Sequence, residues 1–273
     1  MIALTGWVDD RVGGLSAGLR LVLQIVAAML ALLGTGGLPT FPFPYPAGIE
    51  MGALALPLAV LWIVAVTNIY NFLDGVDGYA AVQGGIAGFT LLSLAGNAPV
   101  LGLGGVIAGA CAGFGVFNWH RARIFMGDVG SGTLGFLFAA LPFHASGMAV
   151  PEMVFVVALA LWFFLADGVY TLLRRALKGE RIWQAHRSHV YQRLVQTSLR
   201  HDQVVLRIAT MAVPVAVAGC IASRLDVSVW EWSALLFGVV VFLALVGYTR
   251  RREHFVSKEK PSDLRRTGVP EYL

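Results

Sequence analysis

Five of the sixteen acidic residues of this 273-residue chain stand where an apolar sequence tolerates them least. Asp9 and Asp10 come just before one apolar run, Asp74 and Asp77 just after another, and Asp128 between two more. An aspartate at the centre of a membrane helix costs about 2.5 to 3.5 kcal/mol, so a carboxylate at each of these boundaries needs a reason. The middle group reads Asn68-Ile-Tyr-Asn71-Phe-Leu-Asp74-Gly-Val-Asp77-Gly78. Steps of three on a helix slip by roughly 60° each, so these four polar side chains form a short arc at a helix end and can converge on one ligand. Gly75 and Gly78 let the chain leave the helix and bring its backbone close to that ligand. A polar helix cap would account for one Asp or Asn here, but not for four.

Another group reads Asn118-Trp-His120-Arg121-Ala-Arg123-Ile-Phe-Met-Gly127-Asp128-Val-Gly130-Ser131. Two arginines, a carboxylate and a glycine-flanked turn opening a helix are the parts that hold a phosphate and its Mg²⁺: guanidinium and helix amides for oxygen, aspartate for metal. Taken alone, the segment reads equally well as basic residues flanking a membrane helix, followed by a capping serine. Further on, His186-Arg187-Ser188-His189 lies in a basic loop. Two histidines three apart could share a helix face, yet two ligands are too few for a structural zinc site. Hydrogen bonding of His186, Arg187 and His189 to a phosphate or sugar is the functional reading; a solvated basic loop is the plain one.

The elements that must position these groups are helices in lipid. Hydrophobic residues make up 57% of the chain, charged residues only 13%, and the mean hydropathy is +0.72, which excludes a disordered protein and a soluble domain. Unbroken apolar runs also exclude an alternating membrane β-barrel. Runs of about 20 residues, long enough to span, fall at 17–34, 52–72, 79–96, 98–117, 131–147, 152–172, 204–223 and 228–249. The expected fold is all-α, a polytopic bundle of about eight transmembrane helices. Residues 1–250 form one transmembrane catalytic domain and 251–273 a basic tail. Nineteen of the twenty Lys and Arg residues fall on one side of the runs, with only Arg224 on the other, which predicts that loops 1–16, 73–78, 118–130 and 173–203 are cytoplasmic, as is the tail. All five boundary aspartates share that face. The positive charge is therefore topological, and no nucleic-acid partner is implied. The stretch Leu38-Pro-Thr-Phe-Pro-Phe-Pro-Tyr-Pro46 predicts a short extracytoplasmic connector. Gly105, Gly109 and Gly113 predict a helix-packing stripe, and Cys111 and Cys220 read as packing residues.

The ordered motifs Asp9-Asp10, Asn68-x-x-Asn71-x-x-Asp74-Gly-Val-Asp77-Gly78, Arg123-Ile-Phe-Met-Gly-Asp128-Val-Gly-Ser131 and His186-Arg-Ser-His189 closely resemble the polyprenyl-phosphate N-acetylhexosamine-1-phosphate transferases, glycosyltransferase family 4. The resemblance implies transfer of a sugar 1-phosphate from a UDP-N-acetylhexosamine to undecaprenyl phosphate, with release of UMP, at the cytoplasmic face of a bacterial inner membrane. It implies Mg²⁺, with Mn²⁺ as an alternative, held by Asn71 and Asp128. It implies Asp74 and Asp77 in the nucleotide pocket, Asn118 near uracil, and Asp9 and Asp10 at the lipid phosphate. Asn68, Arg121, Arg123, His186, Arg187 and His189 complete the substrate contacts. The segment from His186 to Leu194 resembles the branch that starts O-antigen or related surface glycans more than the peptidoglycan branch, whose loop is richer in consecutive histidines. A homodimer is compatible with all of this.

Charge chemistry independently suits the assignment. A pyrophosphate meeting a lipid phosphate needs metal and arginine to neutralise it. A phosphomonoester, with a second pKa of about 6, needs no decisive base near pH 7, so positioning and metal or proton management suit Asp9 and Asp10. The competing class is a transporter with Asp167 as its ion site; a non-catalytic scaffold or an inactive homologue are the other readings. Members of the family place about three helices before the aspartate pair, whereas Asp9 here follows only eight residues. The expectation is a short variant, or a true start lying roughly 60 to 100 apolar-rich residues upstream.

Overall fold

The computed structural model describes residues 1–35, 52–94, 99–145, 149–181, 186–225 and 228–267, the side chains of 99–101 and 259–267 excepted, and these are helical with no strand among them. In chain order the helices are α1 (Ile2–Val12), α2 (Ala17–Leu33), α3 (Ala55–Leu73), α4 (Tyr79–Ser93), α5 (Pro99–Asn118), α6 (Gly127–Ala140), α7 (Val150–Ala160), α8 (Trp162–Leu177), α9 (Val190–Gln196), α10 (His201–Arg224) and α11 (Ser228–Thr267). Every apolar run of the sequence is helical over most of its described residues. The segments Gly52–Leu73, His201–Arg224 and Ser228–Lys258 are long and apolar enough to cross a membrane, and Ala17–Leu33 and Gly102–Asn118 are shorter apolar helices. Leu61, Phe89, Val106, Val116, Leu236 and Leu243 point outward. Such an apolar exterior around helices that satisfy their own backbone is that of a multi-pass membrane protein. The Pro-rich stretch 38–46 lies outside the described residues.

Three expectations change. The run at 152–172 is broken: α7 and α8 meet at Leu161 with a bend of 80°. The bend frees the carbonyl of Ala160, because Phe164 donates its amide to Leu161 instead, and the buried side chain of Gln83 donates to that carbonyl. A polar side chain from α4 thus replaces the missing helical bond. The glycine stripe Gly105, Gly109 and Gly113 does not carry the α4–α5 packing. Gly109 and Gly113 are exposed, and the backbones instead touch at Gly88 and Gly104, because the buried face of α5 runs through 104, 107 and 111. The loop expected at 173–203 contains a helix, α9, in its basic segment, while α1 carries Asp9 and Asp10 on its last turns and closes at Gly13 (φ 82°).

The buried core clusters Tyr70, Tyr79, Phe138, Phe164 and Tyr191 beneath one end of the bundle. There the C-terminal ends of α1, α3 and α5 meet the N-terminal ends of α4, α6 and α10. Tyr79 packs on Phe164 and Tyr191 at centroid distances of 4.7 and 5.1 Å, and Tyr191 also lies against Gly75. This aromatic layer sets the height of the turn that carries Asp74 and Asp77.

Candidate active site

α1 reaches α6 because residue 6 is glycine: a Cβ there would meet the backbone of Asp128 at 2.6 Å. That approach brings both members of the aspartate pair to the start of α6, where they separate. Asp10 accepts from the amides of Asp128 at 3.2 Å and Val129 at 3.3 Å, so it is the anion that α6's first amides hold. The sequence reading placed an external phosphate on those amides; the structure fills them with Asp10 instead. Gly127 permits this, with φ 63° and no side chain in the way of the Asp10 carboxylate. Asp9 is buried, accepts from the amide of Leu15, and pairs with Arg20 at 2.9 Å. Arg20 also lies 3.4 Å from Asp128 Oδ2.

Asn71 and Asp128 stand between two pockets. The Asn71 side-chain nitrogen donates to Asp128 Oδ1 at 3.0 Å and to Ser131 Oγ at 2.9 Å, and Ser131 donates to the carbonyl of Gly127. Ser131 thus orients Asn71 rather than capping α6. One pocket is lined by Asp9, Arg20, Gln24, Asn68, Asn71 and Asp128 above apolar walls of Ile2, Leu21 and Phe72. The other, about 280 Å³, is lined by the turn from Asp74 to Asp77 together with Asn71, Asn118, Phe125, Met126, Asp128 and Ser131. Both use Asn71 and Asp128.

The carboxylates here resist sharing one site without a cation. Burial, and then the charge of Asp128, push the Asp74 carboxyl up to about 7. Burial pushes the Asp128 carboxyl up, the Asn71 donor pulls it down, and Asp9 and Asp10 push it up again, leaving it above its ordinary value. Among the described residues no hydrogen bond reaches the Asp74 carboxylate or the side-chain oxygen of Asn71. Asp74, Asp128 and Asn71 therefore offer an all-oxygen donor set with excess negative charge, which fits a hard cation such as Mg²⁺.

Asp77 behaves differently. Burial opposes its ionisation, but His120 at 3.0 Å, the Ala122 amide at 3.3 Å and His201 at 3.2 Å outweigh it and hold its carboxyl below the ordinary value. Asn118 is buried and spans two backbone segments: it accepts from Gly78 N at 2.9 Å and donates to Ile124 O at 2.8 Å. Its amide orders the rim of the pocket, which it also lines. Asn68 exchanges hydrogen bonds with Gln24 at 2.6 and 3.3 Å. Arg121 and Arg123 are exposed and line neither pocket. The basic side chain that does is Arg20, missed in the sequence because it sits three residues inside an apolar run.

His186 and His189 do not share a helix face, since residues 186–188 are not helical and His189 is the residue before α9. Their rings still lie 4.8 Å apart. Asp167, which the transporter reading would make an ion site, is buried and saturated. It accepts from Thr171 Oγ1 at 2.9 Å, Val190 N at 2.9 Å and Tyr191 N at 3.1 Å, and lies 3.2 Å from His189 Nδ1. It fastens the histidine segment to α8. Arg187 is exposed beside it.

The model of glycosyl transferase family 4 matches residues 1–146. Among curated proteins, a probable undecaprenyl-phosphate N-acetylglucosaminyl 1-phosphate transferase of Bacillus subtilis is 29% identical, covering 90% of this chain and 69% of its own length. A decaprenyl-phosphate N-acetylglucosaminephosphotransferase of Mycobacterium tuberculosis is also 29% identical, covering 86% and 64%. A phospho-N-acetylmuramoyl-pentapeptide-transferase of a Synechococcus strain is 38% identical over 50% of this chain and 44% of its own. The chain thus spans between 44% and 69% of the length of these relatives. The match runs through α1 to α6, the helices that build both pockets, and over more than half of the residues: the chain belongs to glycosyl transferase family 4.

Proposed function

We propose that this protein transfers an N-acetylhexosamine 1-phosphate from a UDP-sugar to a polyprenyl phosphate, releasing UMP, at the cytoplasmic face of a bacterial inner membrane. The supporting observation is the pair of pockets divided by Asn71 and Asp128. The pocket with apolar walls and Arg20 suits a phosphate carried on a lipid; the pocket under the Asp74–Asp77 turn suits a nucleotide. An oxygen of the lipid phosphate attacks the phosphorus that bears the sugar. A new pyrophosphate bond forms, the old one breaks, and its electron pair leaves on UMP. Arg20 orients the attacking phosphate, and Asp9 fixes Arg20. No base is needed, since that phosphate is mostly unprotonated near pH 7. Asp10 holds the start of α6, and with it Asp128, in place. Asn71, Asp74 and Asp128 would hold Mg²⁺, or Mn²⁺, which supplies charge neutralisation between the two substrates. His186 and Arg187 contact the donor's phosphates or sugar.

The relatives named for N-acetylglucosamine make UDP-N-acetylglucosamine the first donor to try, and lipid-linked surface glycan the product class. The test is UMP release by the purified chain in detergent, with undecaprenyl phosphate, UDP-N-acetylglucosamine or UDP-N-acetylgalactosamine, and Mg²⁺ or chelator. Release that needs both lipid phosphate and the divalent ion is expected. Lipid-independent release, or none with any donor, would overturn the proposal for this chain.

A further inference from the structure

Outside the Asn71–Asp128 wall, one group of side chains has the composition of a transition-metal site. Asp77, His120 and His201 come from the turn before α4, the segment after α5 and the first residue of α10, and their ligand atoms all lie within 4.8 Å of one another. Asp77 Oδ2 is 3.0 Å from His120 Nδ1 and 3.2 Å from His201 Nδ1. A four-coordinate zinc with bonds of about 2.0 Å places its ligand atoms about 3.3 Å apart, so two of the three edges already have the needed length. The two imidazole rings are 5.1 Å apart and inclined at 55°, and the third edge, between the histidine nitrogens, is no longer than 4.8 Å. The amide of Asp77 also lies 3.4 Å from His201 Nδ1, so this nitrogen faces the turn that carries Asp77.

We propose that Asp77, His120 and His201 bind one divalent transition-metal ion of the zinc class, distinct from the hard cation of the Asn71–Asp128 wall. Imidazole nitrogens select zinc, cobalt or nickel over magnesium. The ion bonds Asp77 through Oδ2, which faces His120, His201 and the Ala122 amide, leaving Oδ1 for the pocket that Asp77 lines. With three protein ligands, the site keeps a position open to water. It ties the Asp74–Asp77 turn to α10, and so governs the shape of the second pocket. The inference does not rest on the transferase reading, because ligand types and spacing carry it alone.

The test uses Co²⁺ as a coloured zinc substitute in the full chain in detergent, with excess Mg²⁺ occupying hard-cation sites. The wild type should bind one Co²⁺ with intense visible bands, and Zn²⁺ should displace it. His120→Ala and, separately, His201→Gln should lower the affinity more than about 100-fold while leaving the thermal midpoint in metal-free buffer within a few degrees of wild type. Asp128→Asn and His186→Ala should keep the bands. Absence of bands in the wild type would overturn the proposal. So would bands that survive both His120→Ala and His201→Gln, or that vanish in Asp128→Asn.

Discussion

Replacing Asp74 by Asn separates a carboxylate kept for chemistry from one kept for the fold. Asp74 sits at the C-terminal end of α3 with no described donor on its carboxylate, and burial plus the Asp128 charge lift its carboxyl from 3.8 to about 7. Such a lift corresponds to at most about 4 kcal/mol against the ionised folded form. One edge of the side chain remains open to the pocket, which reduces the expected figure to about 2 kcal/mol. The sign follows from linkage: the folded protein binds this proton more tightly than the unfolded chain, so stability falls as pH rises from about 4 to 7 and stays low above. In chelator, Asp74→Asn should therefore be the more stable protein at pH 8, by about 4 °C or more in thermal midpoint, and should match wild type near pH 4. Added Mg²⁺ should stabilise wild type more than the variant. Turnover should fall by about 100-fold or more, since the carboxylate belongs to a preorganised site. The assay is thermal unfolding in detergent from pH 4 to 8, with UMP release beside it. A variant less stable than wild type at pH 8, or one with full turnover, would show that Asp74 is a helix cap and that the reasoning fails.

Other perturbations test other parts of the site. Asp128→Asn should abolish transfer while leaving a folded, membrane-inserted protein, because an amide is a much weaker ligand for a hard cation; wild-type turnover at ordinary Mg²⁺ would refute the ligand assignment. Gly6→Ala should cost about 1 to 3 kcal/mol and most of the activity, since its Cβ would press on the Asp128 backbone; an unchanged midpoint would show that α1 moves freely. Asp167→Ala leaves the amides of Val190 and Tyr191 and the hydroxyl of Thr171 without their acceptor, so stability should fall by about 3 kcal/mol or more. A loss of ion transport with unchanged stability would instead revive the transporter reading. His189→Ala should raise the KM for the UDP-sugar more than it affects lipid binding; unchanged kinetics would return His189 to a purely structural role against Asp167.

Local chemistry made much of this protein legible from its sequence. Apolar runs of about 20 residues must be helices in lipid, because no other open structure satisfies its backbone there, and each run is helical over most of its described residues. The arc from Asn68 to Asp77 is a property of one helix end and its turn and so is legible in the spacing, but the structure divides it: Asn68 lines one pocket, Asp74 and Asp77 the other, and Asn71 both. Association across the chain was not readable in the same way. Nothing local separates Asp9 from Asp10, yet the approach of α1 to α6 at Gly6 gives the first an arginine and the second a helix start. The bend at Leu161 depends on Gln83 in another helix. Arg20 reads as a topological charge until Asp9 and Asp128 are seen beside it, and His120 and His201, 81 residues apart, meet only because α5 ends and α10 begins at the same turn. The sequence by itself determined which residues carry charge at the ends of apolar helices, since that follows from solvation and helical period. Only the tertiary structure decided which charges share a pocket, because partnership depends on how closely two backbones approach, and glycine, bends and buried amides far apart in the chain set that distance.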